Sequence, residues 1–219
     1  MAGKYSGTHD YYHSGGMIME QETRIWNPQL QELRAETGED GKVTVSGLAV
    51  PYGQTSEDLG GFREMFMAGA FAETISENRE VFADVEHDAK KKLGRRTKSS
   101  LELQDTVDGL RFRVKLPDTQ LGRDTAEEVR SGLLDGVSIA FTDADANWFG
   151  KGKDTLRKVN KAALRAITLT SYPAYRQTVG SLAMRSLEEY RTTEGSTEPE
   201  YDPSESIREK NRCDRELLY

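Results

Sequence analysis

The sequence predicts a mostly β protein with one or two helices and flexible terminal segments. Short runs with alternating or continuous apolar residues recur along the body of the chain, whereas helical periodicity is confined to two stretches. The connections are mostly short and show no strand–helix–strand alternation, which favours a largely antiparallel sheet or barrel with packed helices. Hydrophobic residues make up 36% of the 219 residues and charged residues 31%, so part of the chain is expected outside the core.

The first half of the chain is expected to contain a leader, two strands and a short helix. Residues 1–20 are rich in Gly, Ser, Tyr and His without any period, which predicts a flexible leader or an expression tag. Residues 42–50 alternate and predict the first clear strand, and the Pro, Gly, Ser and Asp content of 51–61 predicts a loop. A short helix is expected at 68–77 and a further strand at 79–87.

The second half predicts a hairpin, an amphipathic helix and two or three strands. SSLELQ and GLRFRVKL flank DTVDG as a hairpin, and TQLGRDTAEEVRSGLL predicts a helix with Thr119 as its N-cap. DGVSIAF is the next strand, and 155–175 supplies one or two more. Residues 186–219 hold ten acidic and five basic side chains and predict an acidic, disordered tail, with 21–185 as the folded domain.

Charge and composition disfavour several classes of protein. The net charge is -7, and the predicted tail carries most of it, so the nearly balanced body argues against a general nucleic-acid surface. No apolar stretch approaches the roughly 18 residues of a transmembrane helix. Cys213 is the single cysteine, so neither an internal disulfide nor a zinc cluster is expected, which suits a reducing cytosol.

A serine within an apolar strand is the first candidate for chemistry. In GLLDGVSIAF, Ser138 occupies a position where a buried strand usually has Val, Ile or Phe. Strand serines are often satisfied by neighbouring carbonyls, and the segment is not the G-x-S-x-G nucleophile elbow. From the residues alone, Ser138 is either a tolerated core hydroxyl or a nucleophile.

Among the three histidines, His87 is the best candidate for a general base. It closes a predicted strand, although a half-solvated strand-end histidine is the alternative interpretation. His9 and His13 lie in the predicted leader, where a metal site would lack further ligands and a rigid frame. The basic cluster KKKLGRR at 90–96 is expected to be a solvated loop, with contact to an acidic substrate or scaffold as the alternative.

Four ordered blocks give the chain a resemblance to the prohead proteases of tailed bacteriophages. The blocks are GLAVPYGQTSEDLGGFREMFMAGAFAETI, EHDAKKKLGR, DGLRFRVKLPDTQLGRDTAEEVRSGLLDGVSIAF and LTSYPAYRQT. The resemblance implies Ser138 as the nucleophile, His87 as the general base and no cofactor or metal. It also implies a fold similar to herpesvirus assembly proteases, a small β-barrel wrapped by helices.

The resemblance further implies an activity and partners. A serine endopeptidase of this kind acts in the host cytoplasm, inside the phage prohead, on the scaffolding segment of the capsid protein precursor and on itself. Self-association as a homodimer is a further option, and neither a membrane nor a specific nucleic acid is expected as a partner. A different interpretation is a non-catalytic scaffold or capsid-binding module that has kept a protease-like fold.

One position departs from the family pattern, Leu-x-Glu-Val-Ser, on the strand before the Pro-Ala-Tyr block. Here the stretch is LRAITLT, and Ala166 stands where the third, acidic member of the triad is expected. Deliberate replacement of the acid, to keep a self-digesting protease intact, is the explanation that the preserved flanking pattern favours. The other explanation is a substitute carboxylate, for which the candidates are Asp84, Glu86, Asp88 and Asp143. Arg157 and Arg165 are candidates for the oxyanion site.

Overall fold

The computed structural model describes residues 21–26, 31–171 and 181–193. The leader expected at 1–20 and most of the tail expected at 186–219 lie outside the described residues. The described chain forms, in order, β1 (Glu22–Ile25), β2 (Arg34–Thr37), β3 (Val43–Pro51), β4 (Arg63–Phe66), α1 (Ala72–Ser76), β5 (Phe82–Val85), β6 (Asp88–Arg95), β7 (Leu101–Thr106), β8 (Gly109–Lys115), α2 (Gln120–Ser131), β9 (Gly136–Phe149), β10 (Leu156–Thr170) and α3 (Ser181–Thr193).

The strands form two sheets that share one core. The larger sheet has the order β1-β9-β10-β5-β6, with β4 also paired to β10, and the smaller sheet has the order β2-β3-β8-β7. Apolar side chains from both sheets, such as Phe112 and Leu164, pack into a single cluster. The mostly β prediction is confirmed. Among the described strands, hydrogen-bonded pairing leaves both sheets open, so the core is enclosed by the packing of one sheet on the other.

The hairpin and the amphipathic helix follow the predicted chemistry. β7 and β8 pair with Thr106 opposite Gly109, which leaves a two-residue turn between them. A Cβ at Gly109 would lie 2.0 Å from the carbonyl oxygen of Val50, so this corner has room only for glycine. α2 begins after Thr119, whose hydroxyl accepts a hydrogen bond from the Gly122 amide at 3.3 Å, and it ends at a left-handed Gly132.

The central pair of strands is longer than the sequence predicts. β9 runs for 14 residues and β10 for 15, whereas the expected strand stopped at residue 141. Residues 143–149 are all half-buried or exposed and contain no apolar run longer than two residues, so their pairing with β10 holds them in the sheet. The cluster at 90–96, expected as a loop, mainly belongs to edge strand β6, on which Lys90, Lys91 and Lys92 are exposed.

α3 extends the packed part of the chain past the predicted domain boundary. The boundary expected between residues 185 and 186 falls inside this helix. Leu187 is fully buried against Leu59 and Phe62, and the indole N–H of Trp148 donates to the Ser186 hydroxyl at 2.8 Å. The acidic composition after residue 185 concealed this short apolar contact, and the helix continues to Thr193.

A buried ion cluster fastens β1 to the larger sheet. Arg24 donates from Nε to Glu64 at 2.6 Å and from a terminal nitrogen to Glu22 at 2.6 Å. Arg157 donates to both carboxylates at 2.8 to 3.1 Å, and all four side chains are at most 7% exposed. The two carboxylates and two guanidinium groups balance in charge. The buried polar side chains of β1 therefore have ion-pair partners inside the protein.

Candidate active site

Ser138 lies on the face of β9 that points away from the apolar core. Val137, Ile139 and Phe141 alternate with it and pack in the main core cluster, because successive side chains of a strand point to opposite faces. Ser138 and Ala140 therefore share the other face. Ser138 is 4% exposed, so it is buried without belonging to the apolar core.

Strand β1 and Gln31 cover the edge of β9 beside Ser138. Ile25 is the register partner of Ser138 in the antiparallel pair of β1 and β9. Beyond it, the Gln31 side chain accepts from the Val137 amide at 2.7 Å and donates to the Val137 carbonyl at 2.5 Å. The edge of the serine strand is thus fully paired in this region.

A row of polar side chains crosses three strands at the level of Ser138. Thr168 on β10 is the register partner of Ser138 on one side and of Asp84 on β5 on the other. Side chains that stand opposite each other in neighbouring strands lie on the same face with Cβ atoms about 4.5–5.5 Å apart. The sheet register therefore brings a serine, a threonine and an aspartate together from distant parts of the sequence.

His87 joins this row from the turn between β5 and β6. Its Nδ1 lies 3.3 Å from the Thr168 hydroxyl oxygen, and that hydroxyl donates to Asp84 Oδ1 at 2.6 Å. A hydroxyl has a single proton, so a threonine that donates to the aspartate can only accept from the histidine. In the tautomer with the proton on Nδ1, His87 donates to this hydroxyl and Nε2 is the basic nitrogen, which is the tautomer that a general base for serine requires.

Burial sets the ionisation of Asp84. Desolvation raises the pKa of its carboxyl from the ordinary 3.8 to about 6. The hydrogen bond from Thr168 and the charge of Lys92 oppose that rise in pKa, whereas the charge of Asp88 adds to it. Asp84 is therefore largely ionised at neutral pH and gains a proton in mildly acidic solution.

Ala166 faces a small pocket beside this row. It lies two residues before Thr168 on β10 and is paired with Phe82 and Ala140. The lining of the pocket combines apolar, cationic and site residues: Gln21, Phe82, Asp84, His87, Lys92, Ala140, Arg165, Ala166 and Thr168. A longer side chain at position 166 would enter the space that Asp84 and His87 also border.

The other candidate acids are engaged elsewhere. The carboxylate of Glu86 accepts hydrogen bonds from the end of β10. Asp88 accepts from the Lys90 amide at 2.8 Å, within its own strand end. Asp143 is 3.3 Å from the guanidinium of Arg165 and is about half exposed. Of the four carboxylates, Asp84 is the one whose hydrogen-bond partner also contacts His87.

The two candidate arginines have different surroundings. Arg157 is committed to the buried cluster with Glu22 and Glu64. Arg165 lines the pocket and donates from Nε to the Thr142 hydroxyl at 3.0 Å. Only Arg165 of the two therefore borders the row that contains Ser138.

Thr168 belongs to the candidate site but is not among the residues predicted from the sequence. A signal for it was present, because the family pattern Leu-x-Glu-Val-Ser has a hydroxyl residue two positions after the acid, and LRAITLT has Thr168 there. The pattern shows a hydroxyl, but the register that places it between Asp84 and Ser138 is visible only in the sheet.

The described residues show neither a metal-binding group nor a membrane-spanning helix. Within 21–26, 31–171 and 181–193, no three His, Cys, Asp or Glu residues are grouped so that they could hold a metal ion. In the same ranges no helix has the length and apolarity needed to span a membrane. His9, His13 and Cys213 lie outside the described residues, as does the Pro-Ala-Tyr block.

Ser138 and His87 both lie next to Thr168, whose hydroxyl donates to Asp84, so the residue types of a serine hydrolase meet in this row. The sequence profile of the caudovirus prohead serine protease family matches residues 29–193, well over half of the chain. The chain belongs to this family of serine proteases.

The chain is also similar in structure to the capsid assembly protease gp21 of bacteriophage T4, with a TM-score of 0.48 and 12% sequence identity. That similarity covers 69% of this chain and 98% of the T4 chain. No curated protein sequence matches the chain.

Proposed function

We propose that this protein is an active serine endopeptidase that cleaves the scaffolding segment of a capsid protein precursor, and itself, inside the phage prohead in the host cell. Membership of the prohead serine protease family supports this class of substrate and this location. The observation that carries the proposal is the chain of contacts from Asp84 through Thr168 to His87, next to Ser138 in the sheet.

The proposed reaction uses these four side chains in fixed roles. Ser138 Oγ attacks the scissile carbonyl while His87 Nε2 removes its proton. The protonated His87 then gives that proton to the leaving amine as the carbon–nitrogen bond breaks, which leaves an acyl-enzyme. Water, activated by His87 in the same way, releases the acid product and restores Ser138. Backbone amides are proposed to stabilise the tetrahedral oxyanion.

We further propose that Asp84 is the acid of this site, in place of the acid missing at Ala166. The carboxylate is buried, it is ionised at neutral pH, and it receives the hydroxyl proton of Thr168. Through that hydroxyl it can fix the tautomer of His87 and stabilise the imidazolium that forms during the reaction. On this proposal the alanine marks a relocated acid, and the chain is not an inactivated variant.

Access to the serine has to be considered in any test. Ser138 is 4% exposed, and β1 and Gln31 occupy the edge of its strand. A polypeptide substrate would need this cover to move, whereas a small fluorophosphonate probe needs less room. We therefore propose covalent labelling of Ser138 as the first assay and cleavage of the cognate capsid precursor as the second.

Five versions of the chain separate the alternatives: the unaltered chain, Ser138→Ala, Asp84→Asn, Ala166→Glu, and Asp84→Asn combined with Ala166→Glu. If Asp84 serves as the acid, the unaltered chain is labelled, Asp84→Asn is labelled slowly, and the added glutamate restores labelling from the neighbouring position. Absence of labelling in the unaltered chain together with gain of labelling in Ala166→Glu alone would show instead that the chain is inactivated. Labelling that persists in Ser138→Ala would remove Ser138 from the mechanism.

A non-catalytic capsid-binding module is the second candidate, favoured by the buried state of Ser138. It predicts that no version is labelled or cleaves, even with Ala166→Glu, while the full chain still binds the capsid precursor. Sedimentation of the full chain with that precursor, followed over time by gel electrophoresis, measures binding and cleavage in the same sample.

A further inference from the structure

The turn that presents His87 has an unfavourable backbone conformation. Glu86 and His87 are the two central residues between β5 and β6, and their φ angles are +53° and +56°. Two-residue hairpin turns with both residues in the left-handed region strongly favour Asn-Gly or similar pairs. Glutamate is poorly suited to this region, so other contacts must hold the turn in place.

The side chain of Glu86 supplies those contacts. One carboxylate oxygen accepts from the Thr170 hydroxyl at 3.0 Å. The other accepts from the amide of Ser171 at 3.0 Å and from its hydroxyl at 3.1 Å. In addition, the backbone N–H of Glu86 donates to the Leu169 carbonyl at 2.9 Å. The turn is thereby attached to the end of β10, the strand that also contains Thr168.

We infer that Glu86 is a positioning residue, which holds the left-handed turn against β10 so that His87 Nδ1 meets the Thr168 hydroxyl. The inference rests on the proposed function, because it concerns the geometry of the proposed general base. Glu86 directly precedes His87, and its carboxylate binds Thr170 and Ser171, which follow Thr168 at the end of β10. A shift of the turn would therefore lengthen the 3.3 Å contact that sets the histidine tautomer.

This role differs from that of a catalytic acid, and the charge of Glu86 is the means of distinguishing them. Glu86→Gln keeps an amide oxygen that can accept both hydrogen bonds from Ser171, but it carries no charge. If Glu86 positions the turn through these hydrogen bonds alone, acting as a clamp, Glu86→Gln should still position it. We then expect labelling of Ser138 within about threefold of the unaltered chain. If Glu86 acted instead through its negative charge, Glu86→Gln should lower the labelling rate strongly.

The decisive variant is Glu86→Asn. Asparagine is among the residues most tolerant of the left-handed region, so the turn should remain folded, but its side chain is one methylene too short for the same clamp. We expect fluorophosphonate labelling to fall about 10- to 100-fold, since a displacement of about 1 Å at a catalytic group can cost 10²-fold in rate. The temperature of unfolding should stay the same or rise.

A matched control lies just before β5. Glu80 also bridges two segments, with hydrogen bonds from Arg95 at 3.0 Å and from the Thr97 hydroxyl at 2.7 Å, and these partners belong to neither the turn nor β10. Glu80→Asn should leave the labelling rate unchanged. Thr170→Val and Ser171→Ala each remove one donor to Glu86 and should lower the rate partially, which keeps the inference testable if Glu86→Asn does not fold.

The outcomes separate the inference from the function on which it rests. A chain that is labelled at Ser138, but at the same rate in Glu86→Asn as in the unaltered form, would overturn the clamp while leaving the protease intact. Absence of labelling in the unaltered chain and in Ala166→Glu would overturn the protease itself. The pH dependence of labelling adds a readout of His87, because a misplaced imidazole should titrate at a different pH from the imidazole held by Thr168.

Discussion

Replacement of Asp84 by asparagine should stabilise the protein at neutral pH while it impairs the proposed reaction. The folded-state pKa of this carboxyl is raised from 3.8 to about 6 because the group is buried. Below pH 3.8 the carboxyl is protonated in both the folded and the unfolded state, and no ionisation penalty arises. Between pH 3.8 and about 6 the unfolded chain ionises this carboxyl while the folded state keeps it protonated, so stability falls across this window and stays lower above it.

The magnitude follows from the size of the pKa change. A rise from 3.8 to about 6 corresponds to about 3 kcal/mol of lost stability above pH 6. An asparagine at this position cannot ionise, and its side-chain oxygen can still accept the hydrogen bond from Thr168. We therefore expect Asp84→Asn to increase the free energy of unfolding by about 3 kcal/mol at neutral pH and to leave it nearly unchanged below pH 3.8.

The same change should slow the labelling of Ser138. Loss of the orienting carboxylate in a Ser-His-Asp site lowers kcat by about 10⁴, and the intervening Thr168 should make the loss here somewhat smaller, about 10²- to 10⁴-fold. Urea unfolding monitored by tryptophan fluorescence, run at both pH values, measures stability, and fluorophosphonate labelling measures the reaction. Equal stability at neutral pH would refute the buried ionised carboxylate, and an unchanged labelling rate would refute its link to His87.

Three other changes test separate parts of the structure. Arg24→Ala should destabilise the protein by about 3–5 kcal/mol in urea unfolding, because it leaves two buried carboxylates with one cation between them; a loss under about 1 kcal/mol would show that the cluster is solvated. Leu187→Ala should cost about 2–5 kcal/mol, whereas the exposed Glu189→Ala should cost little, and equal effects would mean that α3 does not pack as described. Thr168→Val should slow the labelling of Ser138 by about 10²-fold or more while Thr168→Ser retains most of the rate, and equal rates would exclude a role for the hydroxyl.

The parts of the fold that were predicted correctly have strong local signals. The alternation of 42–50, the Thr119 cap and the DTVDG turn each specify a conformation through nearby residues, and each is found where expected. Strands β1, β2 and β4 escaped prediction because they are four residues long and mostly polar or irregular in pattern. Their conformation comes from pairing with longer strands and, for β1, from a buried ion cluster that no local pattern shows.

The site shows the same division. His87 and Ser138 could be singled out from the sequence, because histidines are few and a serine interrupts an apolar run. The choice among the carboxylates could not be made in that way, since Asp84, Glu86 and Asp88 lie within five residues of one another and differ only in the direction that the turn gives them. The turn directs Glu86 to the end of β10 and leaves Asp84 on the face of the sheet with Thr168.

The position of Asp84 offers a physical reason why an alanine is tolerated where the family pattern has an acid. Positions 166 and 84 lie on neighbouring strands, on the same face and beside the same pocket, and they are two residues apart in the register. A carboxylate at either position would therefore place its negative charge close to the imidazole of His87. Two carboxylates there would repel each other and raise the pKa of at least one, so a site with Asp84 gains by having a small neutral residue at 166. Ala166→Glu should therefore restore labelling in the Asp84→Asn background but add nothing, or slow labelling near neutral pH, when Asp84 is present.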